Sequence, residues 1–405
     1  MEHSRRNIVL LFISQAIALT STITIVTYSA LVGKILTGST SMATIPAAAG
    51  LVAAALTAYP ASMLMKKYGR KKGFQLGGAF ALLAGFLSFY GIYAEHFIIF
   101  TFGVMIHGVF QAFAAFYRFT AMEITAPHMH KQAVSYVLAG GLLAAFVAPS
   151  AAQFFEVNFY LPIPYAGTYI LVMVLSFLTQ FIILFVKFPE KIPETKTEII
   201  EQGPQSSIWN ILKRPAFLCA SLNAAGAYLI MSYVMTSSPM QIVEYCGFPL
   251  SAAASVIQWH VASMFLPAFF CGSLIARYGS VKILFSGMIC LAASAAFAIQ
   301  GLELINFYGS LVLLGLGWNF MFTAGTTLLQ HAHNSSEKAQ VQGMNDFVVY
   351  GLTAISTLSS GYMLEHIGWM NMNKLVFGVL GLLFIITLWY VITERKTLGV
   401  IKPDY

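Results

Sequence analysis

Apolar residues in this chain run in long stretches, broken by short polar turns. A helix needs about 20 apolar residues to cross hydrocarbon. Twelve segments meet that length, at about 7–32, 42–65, 73–93, 97–122, 133–155, 165–187, 217–243, 251–276, 282–300, 306–330, 341–364 and 370–393. Segment 282–300 is short, so a count of ten or eleven is the alternative reading. The twelve fall as six plus six about one polar stretch, Phe188 to Lys213, which holds Pro189, Glu190, Lys191, Pro193, Glu194, Lys196, Glu198 and Glu201. That stretch is too polar to cross and too short to be a domain. The pattern predicts an all-α membrane protein: a six-helix bundle over 1–187, a linker over 188–213 with a surface helix near Trp209, and a second six-helix bundle with a short tail over 214–405.

The two halves share a trace of sequence. Ser62-Met63-Leu64-Met65-Lys66-Lys67-Tyr68-Gly69-Arg70-Lys71-Lys72 returns 210 positions later as Gly272-Ser273-Leu274-Ile275-Ala276-Arg277-Tyr278-Gly279-Ser280-Val281-Lys282. Leu64/Leu274, Tyr68/Tyr278, Gly69/Gly279 and Lys72/Lys282 are identical. The same basic turn between two apolar runs in each half marks a duplicated membrane protein, and duplicated bundles in membranes are most often transporters.

Composition agrees. Of 405 residues, 58% are hydrophobic and 9% charged, against roughly 25% charged in soluble domains. The net charge of +7 forms no single basic footprint, which argues against nucleic-acid binding. Its basic residues sit in short loops, as cytoplasmic anchors do. With both termini inside, nineteen Lys and Arg fall on the cytoplasmic side, and only Lys34 and Lys374 outside. The remaining one, Arg118, lies within a span. The apolar run after Arg5 and Arg6 reaches Val32, too long for a cleaved signal, and reads as a retained first span. Cys219, Cys246, Cys271 and Cys290 show no CxxC spacing and lie in or beside apolar runs, so neither a zinc site nor a redox pair is indicated.

Six plus six spans, a central polar loop and a basic turn after the second span together resemble the major facilitator superfamily. That family's turn reads G-x-L-x-D-R-x-G-R-R. Leu64, Lys67, Gly69, Arg70 and Lys71 match it, while Ser62 replaces the first Gly and Lys66 the Asp. A second family pattern, an acid before a Pro and then a basic residue after span 4, corresponds to Glu123, Pro127 and Lys131, with the basic residue recurring as Lys338. An Arg that the family often carries four residues before a span 4 Gly is Val104 here, and the Gly-Pro antiporter pattern survives only as Ala148-Pro149. The resemblance implies a cytoplasmic gate in which Arg70 and Glu123 meet in the outward-open state, with Lys66, Lys67, Gly69, Arg277, Gly279 and Asp346 as its other members. Because Lys66 replaces the Asp, a swapped pair of Lys66 or Lys67 with Asp346 is the expected compensation. The alternative is that these charges only fix topology.

The resemblance also implies that spans 1, 4, 7 and 10 line a central cavity. On span 4, His107, Gln111 and Arg118 fall on one helical stripe. An Arg within a span is costly unless it is paired or faces water. It therefore reads either as an anion clamp or as a structural partner of Glu123. His107 reads as a packing residue or as a proton-coupling one. Span 10 offers Trp318, Asn319 and Thr323; span 1, Gln15 and Tyr28; span 7, Asn223 and Tyr228; span 8, Gln258 and His260. Proton-coupling candidates are His107, Glu123, His260 and Asp346. No carboxylate stands mid-membrane on the cavity-lining spans, which favours a neutral or anionic organic solute over a cationic drug.

Walker A and HExxH patterns are absent. His128, His130, His331 and His333 lie in equivalent loops and read as solvated rather than metal-binding. The expectation is a monomeric, multi-pass protein of the plasma or inner membrane without cofactor or metal. It would move a small organic solute by alternating access, with protons and membrane lipid as its other partners. Drug or metabolite efflux by antiport and facilitated uniport are alternatives; a receptor or enzyme on the same fold is the rival class.

Overall fold

The computed structural model describes residues 2–125, 130–159, 163–186, 207–334 and 337–400. Pro127, His128, Lys187, Lys191, Lys196 and Lys402 lie outside those residues, as do the side chains of His130, Lys131, Lys338, Arg395 and Lys396. Every regular element among the described residues is helical. Hydrocarbon supplies no partner for backbone N–H and C=O groups, so each crossing segment must satisfy them internally.

Among the described residues, ten helices are long and apolar enough to cross: Arg5–Thr37, Thr40–Tyr68, Arg70–Tyr93, Phe97–Ala121, Ala139–Asn158, Ala166–Phe185, Pro215–Tyr245, Ser280–Gln300, Leu304–Ala332 and Gln340–Glu394. An eleventh is the pair Leu250–Phe265 and Ala268–Tyr278, bent by 42° beside Pro267, whose ring cannot continue the hydrogen-bond ladder. The last helix spans 55 residues, about 80 Å at 1.5 Å per residue, far more than the roughly 30 Å hydrocarbon core. It breaks at Gly368, at φ 75 and ψ 166, and so makes two passes. The result is twelve crossings, numbered here as spans 1 to 12 in chain order. The short predicted segment 282–300 is a full helix, Ser280–Gln300, and the expected surface helix is Ile208–Leu212.

The repeat seen in sequence is a repeat in space. Gly69 sits at φ 89, ψ 158 and Gly279 at φ 85, ψ 152, a region essentially closed to residues with a Cβ. Each ends one span and starts the next. Beyond each turn, a second glycine pair marks the same helix contact. A Cβ on Gly77 would lie 2.7 Å from Phe113 Cβ, and one on Gly287 would lie 2.5 Å from Met321 Cγ. Spans 3 and 4 thus touch as spans 9 and 10 do. Span 1 packs on span 5 and span 7 on span 11 in the same relation.

Between the halves, span 2 meets span 11, span 5 meets span 8, and span 1 meets span 7. With an even number of crossings, the start of span 1 and the end of span 12 lie on one face, called here the terminal face. The turns between spans 1 and 2, 7 and 8, and 11 and 12 lie on the opposite, far face.

Backbone strain at the two matched turns has a direct test. Gly69→Ala and Gly279→Ala should each destabilise the protein by about 1–3 kcal/mol, read as a lower Tm in detergent. Gly272→Ala, at a helical position with open space around it, should leave Tm unchanged or raise it.

Candidate functional site

Span 4 is not continuous. Its helix runs Phe97–Ala114, loosens, and resumes at Tyr117–Glu123. Phe116 N–H turns back to Phe113 O at 3.1 Å, while Ala115 keeps its bond to Gln111 O. The break separates Arg118 from the straight stripe expected with His107 and Gln111. Tyr117 goes into the bundle against Phe74, with ring centroids 4.7 Å apart. Arg118 is left exposed, its guanidinium 4.8 Å from the Phe119 ring centre. It does not pair with Glu123, as one sequence reading had it, because Arg70 already holds that carboxylate.

Facing it in the other half is an aromatic wall. Trp318 and Phe322 stack 5.5 Å apart at 9°. Tyr228 meets both edge-on, at 5.1 and 5.0 Å. Trp318 Nε1–H is buried without a hydrogen-bond partner. Val349 of span 11 clusters with Ala224 and Ala225 of span 7, and Tyr228, Phe322, Val348 and Leu352 pack against that cluster, which brings span 11 to this wall. Asp346, exposed one turn earlier, accepts a hydrogen bond from Asn345 Nδ2 at 3.2 Å. Arg118, Asp346, Tyr228 and Tyr350 act on one another electrostatically, yet Arg118 and Asp346 do not close into an ion pair. Tyr350 was missed from sequence. Its i+4 spacing from Asp346 was the available signal, since such positions share a helix face.

His107 and Gln111 meet on span 1 rather than in open space. Thr22 Oγ donates to Ala18 O at 3.0 Å and accepts from Gln111 Nε2 at 3.2 Å. His107 Nε2 is 3.3 Å from the same oxygen. With the Thr22 proton on Ala18 O, His107 donates through Nε2 and its buried Nδ1 keeps a bare lone pair. The three side chains tie span 4 to span 1.

Other predicted cavity residues divide. Gln15 and Gln258 are half-buried. Tyr28, with Thr27, Pro149 and Ala254, lines a narrow crevice where spans 1, 5 and 8 of the two halves converge. Asn223 instead donates to Thr387 Oγ at 2.9 Å and to Cys219 O, inside the C-terminal bundle against span 12. Asn319 donates to Met264 O at 2.8 Å, and Thr323 lies beside the Cys271 thiol; both face span 8 from span 10. His260 is fully buried and donates from Nδ1 to Leu311 O at 2.7 Å. The physical reason is common to all four. A polar side chain inside a bundle must find a partner, and a neighbouring helix supplied it before the cavity did.

The sequence matches the Major Facilitator Superfamily over residues 10–356. The chain belongs to that superfamily. It is 33% identical over 385 residues to the riboflavin transporter RfnT of Brucella anthropi, covering 94% of this chain and 95% of that protein. It is 25% identical to the uncharacterized MFS-type transporter YdeG of Bacillus subtilis, over 90% of this chain and 87% of that one. Among solved structures, a single-substitution variant of the fucose:proton symporter FucP of E. coli matches with a TM-score of 0.59 at 15% identity, covering 95% of this chain and 98% of that one; at that identity the likeness concerns the fold. The protein is thus a multi-pass major facilitator transporter.

Contacts between the halves run from the far face to mid-depth. Lys34 pairs with Glu244 at 3.2 Å and lies 4.9 Å from the Tyr245 ring centre. Tyr245 OH meets Thr40 at 3.0 Å. Ser41 donates to Glu365 from its backbone N at 2.8 Å and from its hydroxyl. Thr44 donates to Leu358 O. A π-helical turn, Gln241–Tyr245, presents Glu244 and Tyr245 to this seam. On the terminal face the ion pairs among the described residues stay within one half: Arg70 with Glu123, and Arg214 with Glu337. The Glu337 carboxylate, bonded to both terminal nitrogens of Arg214, holds that guanidinium still more firmly protonated. Arg118 and Asp346 stand exposed near the terminal-face ends of spans 4 and 11, and the space between the halves there is called the cleft.

Arg70 and Glu123 are paired, both on the N-terminal half and with no need of a partner across the cleft. One gate expectation changes. The swapped pair of Lys66 or Lys67 with Asp346 is not formed among the described residues. Lys66 is exposed, Lys67 lies over its own neighbour Tyr68, and Asp346 faces Arg118 instead. Arg277 likewise lies over Tyr278, and Gly279 shapes its turn.

Each exposed pair of this kind contributes about 0.2–1 kcal/mol, enough to bias a two-state protein. Lys34→Glu and Glu244→Lys should each raise the reactivity of Thr27→Cys toward an impermeant maleimide applied at the far face. The charge-swapped double variant should return it to the parental rate.

Proposed function

We propose that this transporter carries a neutral, flat heteroaromatic solute of the riboflavin type by alternating access, with the terminal face cytoplasmic and the protein in the plasma or inner membrane as a monomer. The observation that carries the reading is the aromatic wall of Tyr228, Trp318 and Phe322 with an unpartnered Trp318 N–H beside it. A stacked ring pair offers a face to a planar ring system, and a buried N–H without an acceptor favours a carbonyl or ring nitrogen at that place. Riboflavin has both features. The likeness to a riboflavin transporter along 94% of the chain supports the same class.

Proton drive belongs to this reading, with Asp346 as the group that takes the proton. Of the candidates named from sequence, His107 and His260 are enclosed within their bundles, and Glu123 is held by Arg70. Asp346 alone of the four stands exposed in the cleft. Protonating it would release the attraction of Arg118 across the cleft and so favour separation of the halves there.

Proteoliposomes preloaded with buffer should accumulate labelled riboflavin, faster under an inward proton gradient, and unlabelled riboflavin should compete. Trp318→Ala should weaken affinity about tenfold or more, which corresponds to about 1.4 kcal/mol. Asp346→Asn should abolish the response to the gradient while sparing exchange of labelled for unlabelled solute. Failure of wild-type vesicles to take up or bind riboflavin would overturn the substrate reading.

A further inference from the structure

Arg118 was read from sequence as an anion clamp, and alone it would be one. An exposed guanidinium attracts carboxylates and phosphates. It is not alone. Asp346 stands exposed on the opposite half, steadied by Asn345 and bordering the same wall through Tyr228. Arg118 and Asp346 act on each other electrostatically without forming an ion pair, so the N-terminal half presents a cation and the C-terminal half an anion. The N-terminal half presents no acidic side chain to Arg118 among the described residues, because Glu123 is spent on Arg70.

We infer that Arg118 and Asp346 form a charge filter at the mouth of the site, which admits uncharged aromatic solutes and turns away their anionic derivatives. An uncharged solute passes between the two walls without losing their mutual attraction. A solute bearing a phosphate gains Arg118 but meets Asp346, and a like charge set directly opposite is unfavourable. The selectivity therefore belongs to the pair, and in particular to Asp346, which cancels the anion affinity that Arg118 would otherwise give. This inference rests on the riboflavin reading for its first probe only.

The test compares binding to purified protein of matched neutral and anionic aromatics. Riboflavin and riboflavin 5′-phosphate come first, by quenching of flavin fluorescence. Then come pairs unrelated to flavin, such as an indole alcohol and the corresponding indole carboxylate, by thermal stabilisation. Wild type should prefer the neutral member of each pair. Asp346→Asn should move the ratio of affinities toward the anion by tenfold or more, and Arg118→Gln should move it further toward the neutral member. A purely structural or gating role would change both members alike and leave the ratio fixed. If the flavins bind and the two variants do not shift the ratio in opposite directions, the filter is wrong and the substrate reading stands. If wild type ignores both flavins while the other pairs shift in opposite directions, the filter stands and the substrate reading falls. If no pair separates the two variants, the filter is wrong whatever the solute.

Discussion

A charge has no place in hydrocarbon, and that constraint organises this molecule. Lipid tails offer an ion neither water nor a counter-charge, so each ionised group within the twelve crossings must face a protein partner or a wet cleft. Arg118 takes the second course. Its span loosens at Ala115 and Phe116, which frees it from the stripe of His107 and Gln111 and turns it to the space between the halves. Tyr117, the next residue back, shows the other choice, burying its ring against Phe74. The cleft exists because two bundles, each closed around its own polar contacts, meet along a seam that covers the far half of their facing surfaces.

The seam and the bundles are built from different materials. Within a bundle, helices touch through small residues and buried hydrogen bonds, as at Gly77 against Phe113 or Asn223 against Thr387. Between the halves, the polar ties among the described residues are few: an ion pair, a tyrosine hydroxyl, a serine on a glutamate and a buried threonine on a carbonyl. Packed interiors resist deformation, whereas exposed ion pairs are worth little. Motion is therefore cheap along the seam and costly within each bundle, which is the mechanical requirement for rocking as two rigid bodies.

Much of this was legible in the sequence. Run length alone located the crossings, because hydrocarbon thickness fixes helix length. The basic turn at Gly69 and Gly279 was visible as residues and proved to be one backbone conformation used twice. The side-chain destinations were less legible. Helical spacing groups Asn319, Thr323 and their neighbours on one face, but says nothing of what covers that face. Asn223, Asn319, Thr323 and His260 all turned to a neighbouring helix. Arg118 was readable because its charge cannot be hidden inside a bundle, whereas an amide can. The aromatic wall was half visible: Tyr228 and Trp318 were picked from separate spans, and only packing showed that Phe322 and span 11 complete it.

The pairing of Arg214 with Glu337 has a mechanical meaning of its own. Arg214 is where the segment joining the two bundles ends and span 7 begins; Glu337 immediately precedes span 11. Two parallel hydrogen bonds therefore rivet the foot of span 7 to the foot of the helix that carries Asp346 nine residues on, so a displacement of either helix end is passed to the other.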